Sequence, residues 1–564
     1  LPARVFRWRG AADGPEVVAF RIARAYTTRE ITVEHVRASL EGLPDGIRHT
    51  MCFVGLGDHG GGATEKQIAW CREHETALEG CRLIFSSPDG FFDAIADDTA
   101  RLPLVIGELQ HHSVGCYSVC RAVKASVRRA EHRLVQADIV RRKDPRPEPD
   151  GAERMKEAWR RVCFGHFHDI FGGSCVPSAY EQVHAQLGFS HAVADEIIHQ
   201  GFRRMLGVLP GDAMHRICLF NASDVPYEGY VEHEPWFELD GWQPHWRLLD
   251  EEGKVVPHQC METEGLVPQD HLAFVRLLFR VHIGPAALRV LRIDTRGAGA
   301  SPETPPVANS RVKVSRSRIV NDINVTVQFA GGGAIRFADA TTLPLPRLEL
   351  IEDPTDTWTH EADRYGRAPA ATPQWRIPSV IDAGPLMAAV QRHGRIGASE
   401  ILVEYRVYAG EPFVECLLRV HWHARQKVLK MTLPMPAALG RRWDGIPGGE
   451  ILREPDGKER PVRDRTVAEL EGGRRIGLLF PDVYALDASE DSIRLTLLRA
   501  PKMAHDYRYR GAGPRVQYAD QGVHEFRFRF FSGPDAVGAL LDQQALMMHR
   551  PPAVADLTRG MSPS

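Results

Sequence analysis

No apolar run in this chain approaches the roughly 20 residues that a membrane-spanning helix requires, and no basic then apolar leader opens it, so no membrane partner is expected. Lysine and arginine are nowhere dense enough to make a phosphate-backbone footprint, and the formal net charge is only −3, which argues against nucleic acid as a partner. Cysteine is sparse and scattered. Ten residues lie between Cys52 and Cys416 with no C-x-x-C pair and no compact framework, the usage of reduced thiols in a cytoplasmic protein. Solenoid repeats and low-complexity tracts are absent as well. An initiating methionine is also lacking: the sequence opens at Leu1, from which a missing N-terminal segment is expected.

What remains is an ordinary globular composition, 43% apolar and 25% charged. At 564 residues the chain exceeds the roughly 250 to 300 at which single cores stop growing, so several domains are expected. The predicted fold class is multidomain α+β. Residues 1–100 alternate strand-like and helix-like stretches, Glu16 to Ile22, Val33 to Leu43, Met51 to Leu56, Glu65 to Leu78 and Arg82 to Ser86, a βαβαβ pattern with too few strands for a complete parallel sheet. This segment reads as the C-terminal remainder of a larger, barrel-like α/β domain. Residues 101–210 change to helical spacing, with Val119, Val123, Val127, Ala130 and Leu134 on one face and Met155, Trp159 and Val162 on another, predicting a bundle of about three helices. Gly172 with Gly173 is expected to stop the second helix, and Ser178 with Glu181 to form a capping box at the third. From 211 to 564, alternating runs such as Leu277 to Ile283, Ile323 to Phe329, Leu418 to Trp422 and Phe526 to Phe530, separated by turn residues, predict antiparallel β-sandwiches.

Three stretches could carry chemistry. Gly57-Asp58-His59-Gly60-Gly61-Gly62-Ala63-Thr64 follows the apolar run Met51 to Leu56, where α/β barrels collect their active sites; a carboxylate there can enter the site while the glycines admit substrate to the backbone. Asp58 is then a candidate catalytic acid, although an isolated Asp in such a turn more often only caps it. The loop lacks the Gly-Lys-Ser or Gly-Lys-Thr ending of a nucleoside-triphosphate cradle. His166-Phe167-His168-Asp169 places two imidazoles and a carboxylate within four residues, donors that suit zinc, against the plainer reading of a packed, hydrogen-bonded histidine. Gly107 to Ser118, with His111, His112, Ser113 and Tyr117, is dense in the groups that meet sugar hydroxyls and stack on pyranose faces, and is equally readable as a polar interdomain turn. His111 and His112 are neighbours and do not form a ligand pair. Asp356 to His360 and His421-Trp422-His423 read as structural, the two histidines of the latter lying opposite Trp422 on a solvated sheet face.

Together these stretches resemble glycoside hydrolase family 38, in order along nearly the whole chain. The glycine loop is similar to the family's Gly-Asp-x-Gly-Gly-Gly-Pro-Thr, with Ala63 in place of proline. Phe167-His168-Asp169-Ile170 with Gly173-Ser174 resembles its Phe-His-Asp signature, and His111 to Ser118 the segment that enters the helical domain. Asp356-Thr357-Trp358, His421 to His423 with Lys427 to Leu433, and Leu497-Leu498-Arg499-Ala500-Pro501 resemble its C-terminal landmarks.

The resemblance implies retaining exo-hydrolysis of terminal α-mannosides of oligosaccharides around one zinc ion (Zn2+). It implies His168 as a zinc ligand, Asp58 as the acid/base carboxylate, and His59 and Asp169 as substrate-binding residues. The family's nucleophilic Asp and its His-x-Asp ligand pair have no counterpart here, so this chain is expected to be inactive alone. Retaining glycosidases need two carboxylates about 5 to 5.5 Å apart, and only one is supplied. Assembly into a homo-oligomer is left open. The alternatives are a non-catalytic carbohydrate-binding protein derived from the same fold and, from His166-x-His168, a metal hydrolase of amide bonds.

Overall fold

The computed structural model describes residues 1–11, 14–57, 61–76, 78–109, 113–235, 242–243, 245–261, 275–296, 311–504 and 516–560. The chain divides into two compact units, Leu1–His111 and His112–Ser564.

In the first unit a three-stranded sheet has the order β2 (Glu16–Phe20), β1 (Val5–Arg9), β3 (Leu104–Ile106). The β1–β2 pair is antiparallel and the β1–β3 pair parallel. Between β2 and β3 run α1 (Val33–Leu40), α2 (Glu65–Glu73) and α3 (Pro88–Ala94). Each starts on a side chain that accepts an orphan N–H: Thr32 for α1, a full Thr64/Gln67 capping box for α2, and Ser87 ahead of Pro88 for α3. Val5, Phe91, Ile95 and Leu102 make the core. The buried Arg4 guanidinium donates to the carbonyls of Ala38 and Glu41 and so satisfies the end of α1.

Two expected strands are not found. Met51 to Leu56 is irregular apart from a single bridge, Thr28 with Gly55, and Arg82 to Ser86 is not a strand. An apolar run becomes a strand only where a neighbour accepts its backbone hydrogen bonds, and here Gly55 O takes Thr28 N while Leu56 N turns back onto Gly62 O. The parallel pairing expected of this segment is carried by β1 and β3 instead.

The second unit opens with a one-turn helix, α4 (Gly115–Ser118), followed by α5 (Arg121–Lys143), α6 (Gly151–Gly165), the single turn α7 (His168–Phe171) and α8 (Pro177–Leu206). The three long helices form the bundle that the helical spacing predicts. Val123, Val127, Ala130 and Leu134 of α5 meet Met155 and Val162 of α6 and Val183, Leu187 and Ile197 of α8 in one core. Ser190 of α8 donates to Ala158 O of α6, and Arg204 grips Asp144 at 2.7 Å, locking the far ends of α8 and α5.

Two boundary details differ from expectation. The second helix stops at Gly165, and Gly172 with Gly173 terminates α7. The third starts at Pro177 without a side-chain cap, because proline at the first helical position sets φ and removes one orphan donor, so the Ser178/Glu181 box is not built.

Strands follow from His215 onward. Ala553–Leu557, β4 (His215–Phe220), β9 (Leu288–Asp294) and β6 (Arg247–Leu249) form one antiparallel sheet in that order. β5 (Tyr227–His233), β8 (Arg276–Ile283) and β7 (His258–Met261) form another, and the two share a core of Leu219, Phe279, Leu291 and Ile293. A larger sandwich packs a ten-stranded sheet, centred on Ser399–Tyr408, Val414–Trp422 and Gly522–Ser532, against a five-stranded sheet that contains Arg347–Glu352, Lys427–Pro434 and Ser492–Arg499. The alternation read from sequence is realised there: Leu418, Val420, Trp422, Phe526, Phe528 and Phe530 are buried. The Ile323 to Phe329 run forms only the short strand Thr326–Gln328 of a five-stranded meander. α9 (Gly538–His549) covers part of the larger sheet. No described helix is long and apolar enough to cross a membrane.

Candidate functional site

His168 and Asp169 lie in α7, a turn fixed from several sides. Gly172 N–H donates to His168 O, and Gly173 adopts φ +81°, where a Cβ would sit 2.4 Å from Val119 Cγ1. Lys124 of α5, almost wholly buried, donates its ammonium to Phe171 O at 2.6 Å and to Val119 O at 2.5 Å, tying the end of α7 to the chain that enters the bundle. Burial lowers the pKa of Lys124, the expected response of an ammonium removed from water. Asp169 O accepts from Ser174 N, Cys175 N and the Tyr180 hydroxyl, while its carboxylate accepts from Ser174 Oγ at 3.0 Å. The backbone is therefore held, yet the side chains face outward: 80% of the His168 side chain and 47% of the Asp169 side chain are exposed, with Nε2 and Oδ2 3.6 Å apart.

His166 does not join them. Its ring bonds Glu131 of α5 at 2.9 Å. Burial would raise the pKa of Glu131, but the hydrogen bond from His166 and the charge of Arg128 bring it below the ordinary carboxylate value. The two imidazoles of His166-x-His168 thus serve different partners, which removes the basis for an amide-hydrolase pair. Among the described residues no three His, Cys, Asp or Glu side chains converge on a metal-sized point. His168 and Asp169 offer at most two of the four donors that zinc ordinarily takes, so the described residues do not by themselves make a zinc site. Asp58 and His59, with His111 and His112, lie outside the described residues.

A second wall adjoins α7 through Cys116. The place a Cβ would occupy on Gly172 is 3.7 Å from Cys116 Sγ, and Cys116 Sγ reaches Thr357 O at 4.0 Å. Burial pushes the Cys116 thiol up, partly offset by the charges of Lys124 and Arg499. Gly115 N donates to Trp358 O, and a Cβ on Gly115 would lie 2.4 Å from both Thr357 O and an Arg499 terminal nitrogen, so only glycine fits.

The loop 353–360 is built on Arg499, whose side chain is wholly buried. Arg499 pairs with Asp353 at 2.8 Å and donates to Thr355 Oγ1, Asp356 O, Thr357 O and Thr359 Oγ1. Asp356 Oδ1 in turn accepts from the N–H groups of Trp358 and Thr359, the latter at φ +52°. This scaffold presents the exposed His360 ring, nearly parallel to Trp358 (11°, centroids 6.2 Å apart) and hydrogen-bonded through Nδ1 to Ser113 Oγ at 3.0 Å.

Sequence reasoning read Asp356 to His360 as structural. That holds for the buried Asp356, Thr357 and Thr359 but misses the Trp358–His360 face. His421 and His423 stand exposed beside the buried Trp422, as the alternation requires.

Residues 347–508 match the glycosyl hydrolases family 38 C-terminal domain. Over 94% of this chain, alpha-mannosidase 2C1 of Homo sapiens is 26% identical, and the chain spans 48% of that relative's length, about half. Two solved structures share the fold: an alpha-mannosidase from Enterococcus faecalis V583 (TM-score 0.74, 13% identity, 99% of this chain and 72% of that one) and a glycosyl hydrolase family 38 protein from Enterococcus faecalis (TM-score 0.73, 14% identity, 100% and 74%). Domain match, sequence and fold point the same way: the chain is similar to alpha-mannosidases of glycosyl hydrolase family 38.

Proposed function

We propose that the protein is a retaining exo-α-mannosidase acting on terminal α-mannosides of oligosaccharides, with His168 as one ligand of a zinc ion and Asp169 and the Trp358–His360 face as substrate contacts. The observation that carries this reading is the outward-facing His168–Asp169 pair on a rigidly held turn, joined through Cys116 to a face made by the exposed His360 and the half-buried Trp358. An imidazole and a carboxylate with exposed polar atoms suit a metal edge and a pair of sugar hydroxyls; an indole suits the apolar face of a pyranose. The remaining metal ligands are not found among the described residues, so no catalytic step is assigned to the ion. Asp58 is proposed as the acid/base carboxylate, which would protonate the leaving oxygen and then activate water, and His59 as a substrate contact. With one catalytic carboxylate in place, these 564 residues alone are expected to be inactive or nearly so. The ten cysteines are all free, which supports a cytoplasmic location.

The test is hydrolysis of 4-nitrophenyl α-mannoside by the protein encoded by its whole gene, with and without chelator. Activity that is lost on chelation, in His168→Ala and in Asp58→Asn supports the proposal. Activity that survives His168→Ala and chelation overturns the metal role. Saturable mannose binding without turnover in any form replaces the enzyme by the carbohydrate-binding protein considered above.

A further inference from the structure

A cavity of about 440 Å3 opens in the second unit between β5, the ten-stranded sheet and the C-terminal half of α9, and it shares no residue with the site around His168. Its floor is charged. Glu415, fully buried, accepts the Tyr408 hydroxyl on Oε1 at 2.9 Å and the Nε groups of Arg527 and Arg529 on Oε2 at 2.7 and 2.9 Å. Arg529 also lies over the Phe413 ring and donates to Gln544. Arg406 is paired with Glu404 and Glu232, and Glu411 with Arg280. Burial alone would push Glu415 up, but Arg527 and Arg529 hold it well below the ordinary carboxylate range, whereas burial wins at Glu411 and raises it.

Ion pairs removed from water give little net stability, and well-packed apolar side chains do as well or better. Stability therefore does not explain why a network of this size lines an open space. The network has a recognisable chemical bias. Each charge already has an opposite partner, so a charged ligand would gain little and would have to displace a pair. A neutral molecule in which every group both donates and accepts can instead bridge neighbouring cations and anions. Among the described residues Arg527 commits only Nε, its terminal nitrogens carry no hydrogen bond, and its side chain is 42% exposed. Met547, Met548 and Pro551 add apolar surface opposite the charged floor, and Tyr230 stands at the wall with its ring stacked on Tyr408 at 5.1 Å. Polar edge, apolar face and a volume within the usual range for ligand sites match a sugar ring.

We infer that this cavity is a second carbohydrate-binding site, taking a short neutral saccharide across Arg527, the partly exposed Glu232 and the methionine wall. Bound there, a glycan is held by the β region independently of the turn that carries His168.

The experiment uses the full protein carrying His168→Ala, so that binding at the first site does not contribute, and follows α-1,6-mannobiose, maltose and cellobiose by saturation-transfer NMR and calorimetry. At least one disaccharide is expected to bind, with affinity falling tenfold or more on adding Arg527→Leu. Gly229→Phe fills the cavity from β5 without removing a charge, since a Cβ at Gly229 meets only ordinary contacts, and it is expected to abolish binding. Binding of none of the three, binding unchanged in the folded Gly229→Phe variant, or competition by inorganic phosphate would each overturn the inference. None of these readouts requires hydrolysis, so failure of the mannosidase proposal is separately visible.

Discussion

Arg499→Met is the sharpest test of how the candidate site is held. In the native protein Asp353, 1% exposed, has its charge balanced by Arg499 at 2.8 Å, and the same guanidinium satisfies two loop carbonyls and two threonine hydroxyls. Methionine fills much of the stem volume but leaves a buried carboxylate without its cation, a loss of about 3–5 kcal/mol. Each stranded carbonyl adds to this at about 1–3 kcal/mol where water cannot reach it. Whole domains are stable by only about 5–15 kcal/mol, so the loop is expected to open before the sandwich unfolds. Hydrogen exchange followed by mass spectrometry should show residues 353–360 losing protection by two orders of magnitude or more, with the buried strand Val414–Trp422 unchanged. Adding Asp353→Asn removes the unpaired charge and should recover about 1–3 kcal/mol in urea titrations, less than a full rescue because the carbonyls remain unpaired. A cost below about 1 kcal/mol together with native protection of the loop would refute the reasoning that Arg499 organises it.

Three further outcomes are expected. Gly115→Ala forces a methyl group to 2.4 Å from Thr357 O, a backbone atom that cannot rotate away, and should cost about 1–3 kcal/mol in urea; an unchanged midpoint would refute the close approach. Burial and the charge of Arg121 push His524 down to about 4 from an ordinary 6.5, so its stabilising contribution of at most about 3 kcal/mol is complete above pH 6.5 and lost as pH falls toward 4. Burial pushes Asp520 up to about 6, so its contribution runs the other way, present at low pH and lost as pH rises through 6. His524→Phe should therefore gain stability relative to wild type between pH 6 and 4 and Asp520→Asn should lose it, as read from urea midpoints; shifts of the same sign in both would refute the assignment. Finally, a maleimide reagent should label the exposed Cys163 in the native protein but Cys120, Cys218 and Cys416 only after unfolding, because those thiols are buried; early labelling of Cys416 would contradict the packing of the sandwich core.

Much of the architecture could be read from residue spacing. The helical face of Val123, Val127, Ala130 and Leu134 and the alternation through Trp422 and Phe528 each encode burial in a local period, so no knowledge of distant partners was required. Met51 to Leu56 failed for the opposite reason. Its composition suits a strand, but a strand is a relation between two segments, and the pairing available to this one is a single bridge at Gly55.

The candidate site divides in the same way. Phe167-His168-Asp169 was legible because its residue types and spacing lie within a few positions of one another. Trp358 and His360 were passed over as structural because what displays them is remote: the Ser113 hydroxyl 247 residues away and the Arg499 guanidinium at the end of another strand. The cavity beside Glu415 left no local pattern at all, since its lining comes from β5, three strands of the large sheet and α9.

By itself, the sequence determined that a helical bundle is followed by antiparallel strands, and which residue types the Phe-His-Asp turn offers, since periodicity and residue type are properties of neighbouring positions. Only the tertiary structure decided which expected strands find partners, that His166 serves Glu131 while His168 faces outward, and that a buried arginine builds an aromatic face next to that turn, because each depends on groups brought together across tens to hundreds of residues.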